Sequence, residues 1–368
     1  MAFACKDLDE SNIAAAETAV SERFCPEAFA MLRKLLSNPL RSPGDDIGSV
    51  VCAGDDVAGV TGSIVRRLYF GREPFSGING GFLAMRHDAP PTLLFLLLKR
   101  AHRPRFGSVL FYSNSCSPAT AKMKPCVGVK NVGPDSWTEI RYARLRRYPS
   151  FRRRVKRSLG LSLPEFPPFA KRPVSPLLCA KEERVFAADA GRGLAAKARS
   201  DFAWADDFFS AYLKDNDGVV SSRTTAELDW FFGDEVANGL SIVLTAEGPR
   251  GVEGYVVLRP CLYDPSRWFV ADAIALGNDR AVLALLFKAA KASVLECSGA
   301  ERLEILGFPM AVRPVIAKAF PKSRPTPCNG FMWGFSDADF ERRCGGGIAD
   351  EKGWFFGPYD GDFCLCLQ

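Results

Sequence analysis

A chain of 368 residues, 47% apolar and 24% charged, has an ordinary globular composition with room for two domains, and it excludes extensive disorder. No apolar run approaches the roughly 20 residues of a membrane-spanning helix, and the first residues lack the basic-then-apolar order of a signal peptide, so the expected compartment is the cytoplasm. The net charge of +6 is concentrated, because Arg141 to Arg157 carries nine Lys or Arg and no acid while the rest of the chain is mildly acidic.

In chain order, Ser11 to Arg23 reads as a peripheral helix and Pro26 to Leu36 as a second, with proline in the first turn where its missing donor is harmless. Two apolar runs separated by Gly54, Asp55 and Asp56 give a β-hairpin. A turn at Pro74 to Gly77 leads into a third strand ending at Arg86. A helix opening near Thr92 must close before Pro104, and Leu93 to Leu98, apolar all round, predicts that it is buried. Ser108 to Asn114 returns as a strand, completing a β-α-β unit that a second helix follows. Trp137 to Leu145 is expected to close this sheet.

The basic band comes next, and five prolines stiffen Leu161 to Pro176, which marks a domain boundary. The expected division is 1–150, a basic and proline-rich linker 151–180, and 181–368. Beyond the linker the plan repeats. Phe202 to Leu213 and Thr225 to Phe232 read as helices, Leu240 to Ala246 and Val252 to Leu258 as a hairpin, and Trp268 to Leu276 as the third strand. Asp279 caps a helix from Arg280 to Val294, Arg302 to Gly307 is a strand, and Val312 to Phe320 a helix. The fold class is therefore α+β, a mixed sheet duplicated in tandem. The tail adds a turn at Asp360 and Gly361 and a short strand in which Cys364 and Cys366 share a face.

Twelve cysteines without a CxxC pair argue for reduced thiols rather than a disulfide scaffold. Only His87 and His102 are present, so no zinc spacing is recognisable, no metal is expected, and serine-triad chemistry is poorly supplied.

The hairpin DDVAGVTGSIVRRLYFG, the strand, helix and strand after it, and the segment NSCSPATAKMKPCVGV together resemble the Gcn5-related N-acetyltransferase (GNAT) superfamily. With both halves counted, the closest likeness is to tandem acyl-CoA N-acyltransferase-like proteins. The resemblance implies transfer of an acyl group from acetyl-CoA or another acyl-CoA to an amine, on a small molecule or a peptide. The family's spaced-glycine turn, whose amides hold the coenzyme A pyrophosphate, is altered here. The first copy reads Arg86-His87-Asp88-Ala89-Pro90-Pro91-Thr92, in which two prolines remove donors and Asp88 adds a like charge. The second copy keeps Gly277, Asn278 and Arg280 but places Asp279 among them, and it is the better of the two candidate phosphate sites. Lys124 stands where the family often has a tyrosine acid.

By the same resemblance, Asp272 lies mid-strand where the acyl-transfer cleft is lined. It either accepts the amine proton or is satisfied by backbone or an arginine. His87, at the end of the first-half strand, is the alternative base or else a capping residue. Met85 and Asn114 border the splay between the first-half strands, where Asn114 either binds the pantetheine arm or caps the following helix. The band Arg141 to Arg157 interleaves aromatics with arginines, a texture that suits nucleic acid, anionic lipid or an acidic surface of the same chain, though most such runs are solvated linkers. The rival functions are a catalytically degenerate binding or scaffold protein of the same fold and a tRNA-dependent aminoacyl transferase.

Overall fold

The structure is a computed structural model that describes residues 3–21, 27–43, 45–86, 89–103, 109–116, 130–131, 139–144, 184–261, 266–297, 300–306, 308, 311–323, 325–327, 330–335, 337–348 and 353–360. His87, the helix expected after Asn114, the stretch 151–180 and the paired cysteines of the tail lie outside these residues.

The chain opens with β1 (Phe3–Leu8), α1 (Ile13–Ser21), α2 (Glu27–Leu36), β2 (Gly48–Ala53), β3 (Asp56–Phe70), β4 (Glu73–Met85), α3 (Pro91–Ala101), β5 (Leu110–Cys116), β6 (Lys130–Asn131) and β7 (Glu139–Arg144). There follow β8 (Val185–Asp189), β9 (Leu194–Arg199), α4 (Ala205–Tyr212), β10 (Val219–Ser221), α5 (Thr225–Leu228), α6 (Asp234–Ala237), β11 (Ile242–Gly248), β12 (Gly251–Pro260) and β13 (Arg267–Ala275). The last elements are α7 (Arg280–Glu296), β14 (Arg302–Leu306), α8 (Arg313–Ala319), β15 (Pro325–Pro327), β16 (Gly330–Phe335), α9 (Ala338–Ile348) and β17 (Trp354–Phe355).

Contacts group these elements into two units, neither of them one continuous stretch. The first unit is Met1–Thr138, Asp217–Ser222 and Asn329–Cys366; the second is Glu139–Asn216, Arg223–Cys328 and Leu367–Gln368. The sheet of the first unit runs β1-β2-β3-β4-β5-β16-β6, with β10 also on β3 and β17 beside β10. That of the second runs β15-β7-β14-β13-β12-β11-β9-β8. In each unit three antiparallel strands lead into a parallel pair bridged by a helix: β4 and β5 around α3, β13 and β14 around α7. The duplicated plan expected from the sequence is thus present.

Trp137 to Leu145 differs from expectation in its partner. Its described residues form β7 (Glu139–Arg144), which pairs with β14 and β15 in the second unit's sheet. The place beside β5 is taken by β16, from the far end of the chain. An alternating strand sequence specifies a face but not which open edge it will find. The turn expected at Pro74 to Gly77 is also absent. β4 begins at Glu73 and passes through Pro74, in a stretch where its parallel neighbour has not yet begun and a missing donor is tolerated.

The helix α3 is less enclosed than its all-apolar sequence suggests. Leu93 and Leu97 are fully buried against Val51 and Ala58, while Leu96 is 40% exposed. Each buried leucine contributes roughly 1.5–3 kcal/mol. The opposite sheet face packs Leu68, Leu110 and Tyr112 against Phe340, Trp354 and Phe356. In the second unit β12 and β13 are buried almost throughout, which explains their continuous apolar runs. The single helix expected over Thr225 to Phe232 is α5, capped by the Thr224 hydroxyl, then a wide π-type turn at Asp229–Gly233, then α6. The extra residue in that turn lets both Phe231 and Phe232 reach the core. Among the described residues no helix is long and apolar enough to cross a membrane.

Candidate functional site

In both units the parallel pair parts beyond a few rungs. β4 and β5 pair at Gly77 with Leu110, Ile78 with Phe111 and Asn79 with Tyr112, and then separate, although β4 continues to Met85. Beyond that point β5 keeps its partner β16 on the other side. β13 and β14 pair from Arg267 with Arg302 to Val270 with Ile305, and β13 then continues to Ala275. A register shift accompanies each parting, with the extra residue in β4 between Gly80 and Leu83, opposite Thr61 to Ser63, and in β13 at Ala271, opposite Val257 and Leu258. A bulge bends and twists its strand, which turns the edge away from the neighbour. Each fork therefore presents a strand edge with no strand beside it among the described residues, suited to receive an extended, amide-bearing chain as an added strand.

Each sheet carries a buried arginine and carboxylate, in the second unit at the fork and in the first beside the rungs that precede it. In the second unit Asp272 is fully buried in β13, two residues past the last rung with β14. Arg223, also fully buried, donates Nε to Asp272 Oδ2 at 3.0 Å and Nη2 to Oδ1 at 3.2 Å. The Tyr255 hydroxyl donates to the same Oδ2. Tyr255 is held in turn by the rings of Trp204 and Phe208 at the start of α4. In the first unit Asp360 is fully buried and accepts the Gly357 amide at 2.6 Å and the Ser221 hydroxyl. Arg66 Nη2 lies 3.8 Å from its Oδ1, with the guanidinium 4.2 Å from the centre of the Tyr359 ring. The Tyr112 hydroxyl donates to the Asp360 carbonyl at 2.9 Å.

Gly277, Asn278 and Arg280 stand at the start of α7, around its N-cap Asp279. Gly277 and Asn278 are both left-handed, at φ 57 and φ 53. That conformation favours glycine and is tolerated by asparagine. It turns the chain so that Asp279 becomes the N-cap, its Oδ1 accepting the Ala281 amide at 2.8 Å and the Val282 amide at 3.2 Å. Arg192, from the turn between β8 and β9, meets the same carboxylate with a two-pronged contact at 3.1 and 2.6 Å. The Arg192 guanidinium, opposed by partial burial and helped by the two amides, holds the Asp279 carboxyl down at about 2.

At the start of α3 the chemistry is subtractive. Pro90 and Pro91 have no amide hydrogen, Ala89 N–H is committed to the Arg86 carbonyl at 3.2 Å and Leu93 N–H to the Pro90 carbonyl at 2.9 Å. Met85, at the end of β4, lies over Gly59, whose missing side chain leaves room for the thioether, and it packs beside Leu83 and Ala89. Asn114 stands in β5 past the last rung with β4. The sequence-predicted residues that the structure describes thus fall at two forks and one helix start, with Asp272 at the second fork and Met85 and Asn114 at the first. Arg223, Tyr255, Arg66 and Arg192 were not anticipated. The only signal for Arg223 was its place just before the capping sequence Thr224-Thr225-Ala226-Glu227, and for Arg66 the Arg66-Arg67 pair inside an apolar strand, one of which must face inward.

No family model matches the chain, and no curated protein does. Solved structures do. A putative acetyltransferase from Pyrococcus horikoshii matches with a TM-score of 0.51 at 13% identity, over 96% of this chain and 93% of that one. A GCN5-related N-acetyltransferase from Anabaena variabilis matches with a TM-score of 0.53 at 10% identity, over 90% and 72%. Saccharomyces cerevisiae N-myristoyltransferase, solved with bound myristoyl-CoA, matches with a TM-score of 0.52 at 10% identity, over 91% and 78%. At such identities the likeness is one of fold: the chain has the mixed α+β fold of the GNAT superfamily, built as two such domains.

Proposed function

We propose that the chain transfers an acyl group from a thioester to an amine: the nitrogen bonds to the carbonyl carbon, the C–S bond breaks, and the departing thiolate takes up a proton as the amine gives one up. The observation that carries this reading is the pair of parted parallel strands, each an edge on which an extended acyl-bearing arm can pair through its amides. The same edge offers backbone N–H groups to a carbonyl oxygen that gains charge during attack. His87 follows the end of β4 by two residues and is assigned the amine proton. Asp272, enclosed by Arg223 and Tyr255, is assigned to positioning that pair at the second fork.

An N-myristoyltransferase of similar fold was solved with myristoyl-CoA bound, which supports an acyl-CoA as the donor. The helix starts of this chain do not suit its pyrophosphate. Around α3, two residues lack amides and two more are committed; at α7, Asp279 holds the amides of Ala281 and Val282.

The test is thermal stability of the purified protein with acetyl-CoA, longer acyl-CoA forms and pantetheine thioesters, followed by mass spectrometry of an amine panel for acylated products. A ligand at a hundred times its Kd adds roughly 2.7 kcal/mol. Product formation that is lost in His87→Ala is the expected result; no shift and no product with any thioester sinks the reading. The two closed helix starts favour a second reading, a non-catalytic protein that binds an extended chain at its forks. It predicts a shift with a thioester or its hydrolysed acid and no product.

A further inference from the structure

The carboxylate of Asp279 stands where a ligand's phosphate would have to stand. Of the first four amides of α7, it takes Ala281 and Val282 with its side chain, and its backbone carbonyl takes Leu283 at 3.0 Å. An anion at a helix start draws its stabilisation from those same donors and from the dipole, so two anions cannot share them. The surroundings are arranged for one negative charge already present. Arg192 closes on Asp279 with two hydrogen bonds, and Arg250 is paired nearby with Glu253 at 2.5 Å. Among the described residues nothing lies within 4 Å of where a Cβ on Gly277 would stand, so crowding by them is not what closes the site.

We infer that Asp279 and Arg192 form a built-in plug that keeps pyrophosphate-bearing ligands off the second unit's bridging helix. The plug is electrostatic, made of one carboxylate and one guanidinium. It deepens the proposed function, since it excludes this helix start as the place where a donor's phosphates are gripped, and it rests on that reading only for the choice of ligand. Replacing the carboxylate with a neutral cap removes the resident charge, releases the arginine fork and leaves one of the two amides open, since a neutral side-chain oxygen takes either the Ala281 or the Val282 amide where the carboxylate takes both.

The experiment uses the full chain and two unreactive probes, inorganic pyrophosphate and free coenzyme A, with binding read by isothermal titration. Asp279→Ser and Asp279→Asn both retain good N-caps, and circular dichroism melts confirm that they fold. The wild type is expected to bind pyrophosphate at least roughly tenfold more weakly than either variant. Arg192→Ala alone is expected to gain nothing, because Asp279 still holds the amides, and Arg192→Ala added to Asp279→Ser is expected to lose the gain. Equal affinity in wild type and Asp279→Ser overturns the plug, as does a gain that survives loss of Arg192. Because neither probe transfers an acyl group, failure here leaves the acyl-transfer reading to its own test, and absence of turnover leaves this result standing.

Discussion

The starts of α3 and α7 hold corresponding places in two copies of one plan, yet they are closed to an anion by opposite means. At α3 donors have been taken away, since Pro90 and Pro91 contribute none. At α7 the donors remain and a resident carboxylate fills them. The first closure is covalent and permanent, whereas the second rests on one side chain and can be undone by one substitution. The forks show a parallel contrast. The second unit's Arg223 and Asp272 meet through two direct hydrogen bonds, while the first unit's Arg66 reaches Asp360 at 3.8 Å and leans on the Tyr359 ring. Both sheets thus hold a buried cation and anion, the carboxylate coming from the central strand β13 in one unit and from the turn after β17 in the other.

The contrast between the forks predicts the largest effect. Asp272→Ala leaves Arg223 buried without its counter-charge and is expected to cost about 3–5 kcal/mol in urea unfolding, with hydrogen exchange rising over β12 and β13. Replacing both, Arg223→Met with Asp272→Leu, should recover most of it; a cost below about 1 kcal/mol for the single change would mean that the pair is not buried as described. Asp360→Ala comes next, at roughly 2–4 kcal/mol, because Arg66 keeps the Tyr359 ring when the carboxylate goes. Faster proteolysis of the last turn should accompany it.

Between the helix starts the effects are smaller. Asp279→Ala should lose about 1 kcal/mol as a cap is removed, while Asp279→Ser should stay within a few tenths. The pH dependence has a definite sign. The folded carboxyl is depressed to about 2 from an ordinary value of about 3.9, so its stabilisation is complete above the ordinary value and fades as pH falls through the folded one. The difference in melting temperature between wild type and Asp279→Asn should therefore shrink from pH 5 to pH 2.5. A difference independent of pH would argue that the carboxylate charge contributes nothing. Least demanding is a comparison without mutation: burial, and then the Glu296 charge, pushes the Cys297 thiol up to about 12, whereas Cys5 is only half-buried. Iodoacetamide at pH 8 should label Cys5 well before Cys297, read by mass spectrometry.

Much of this architecture was legible from periodicity and punctuation. The hairpin turn at Gly54 and Asp55, the end of α3 before Pro104 and the capping of α7 by Asp279 all follow from local chemistry that needs no distant partner. What could not be read depends on long-range pairing. Nothing in Glu139–Arg144 distinguishes an edge in its own half from one in the other, and nothing near Arg66 announces Asp360 nearly three hundred positions away. Asp272 was read as either a proton acceptor or a satisfied carboxylate, and only the fold reveals Arg223 and Tyr255 around it. Leu96 shows the limit in the other direction, because an all-apolar run implied burial that a helix lying on one sheet face does not provide.

The pairing of β5 with β16 has a consequence for how this protein is made. Translation proceeds at roughly 5–20 residues per second, so on the order of ten to forty seconds separate the emergence of β5 from that of the strand that covers its far edge. During that interval a nascent chain carries a half-finished sheet with an open, aggregation-prone border. Expressing the first half alone would make that wait permanent, and chaperone demand during synthesis, rather than the stability of the finished fold, is expected to limit yield.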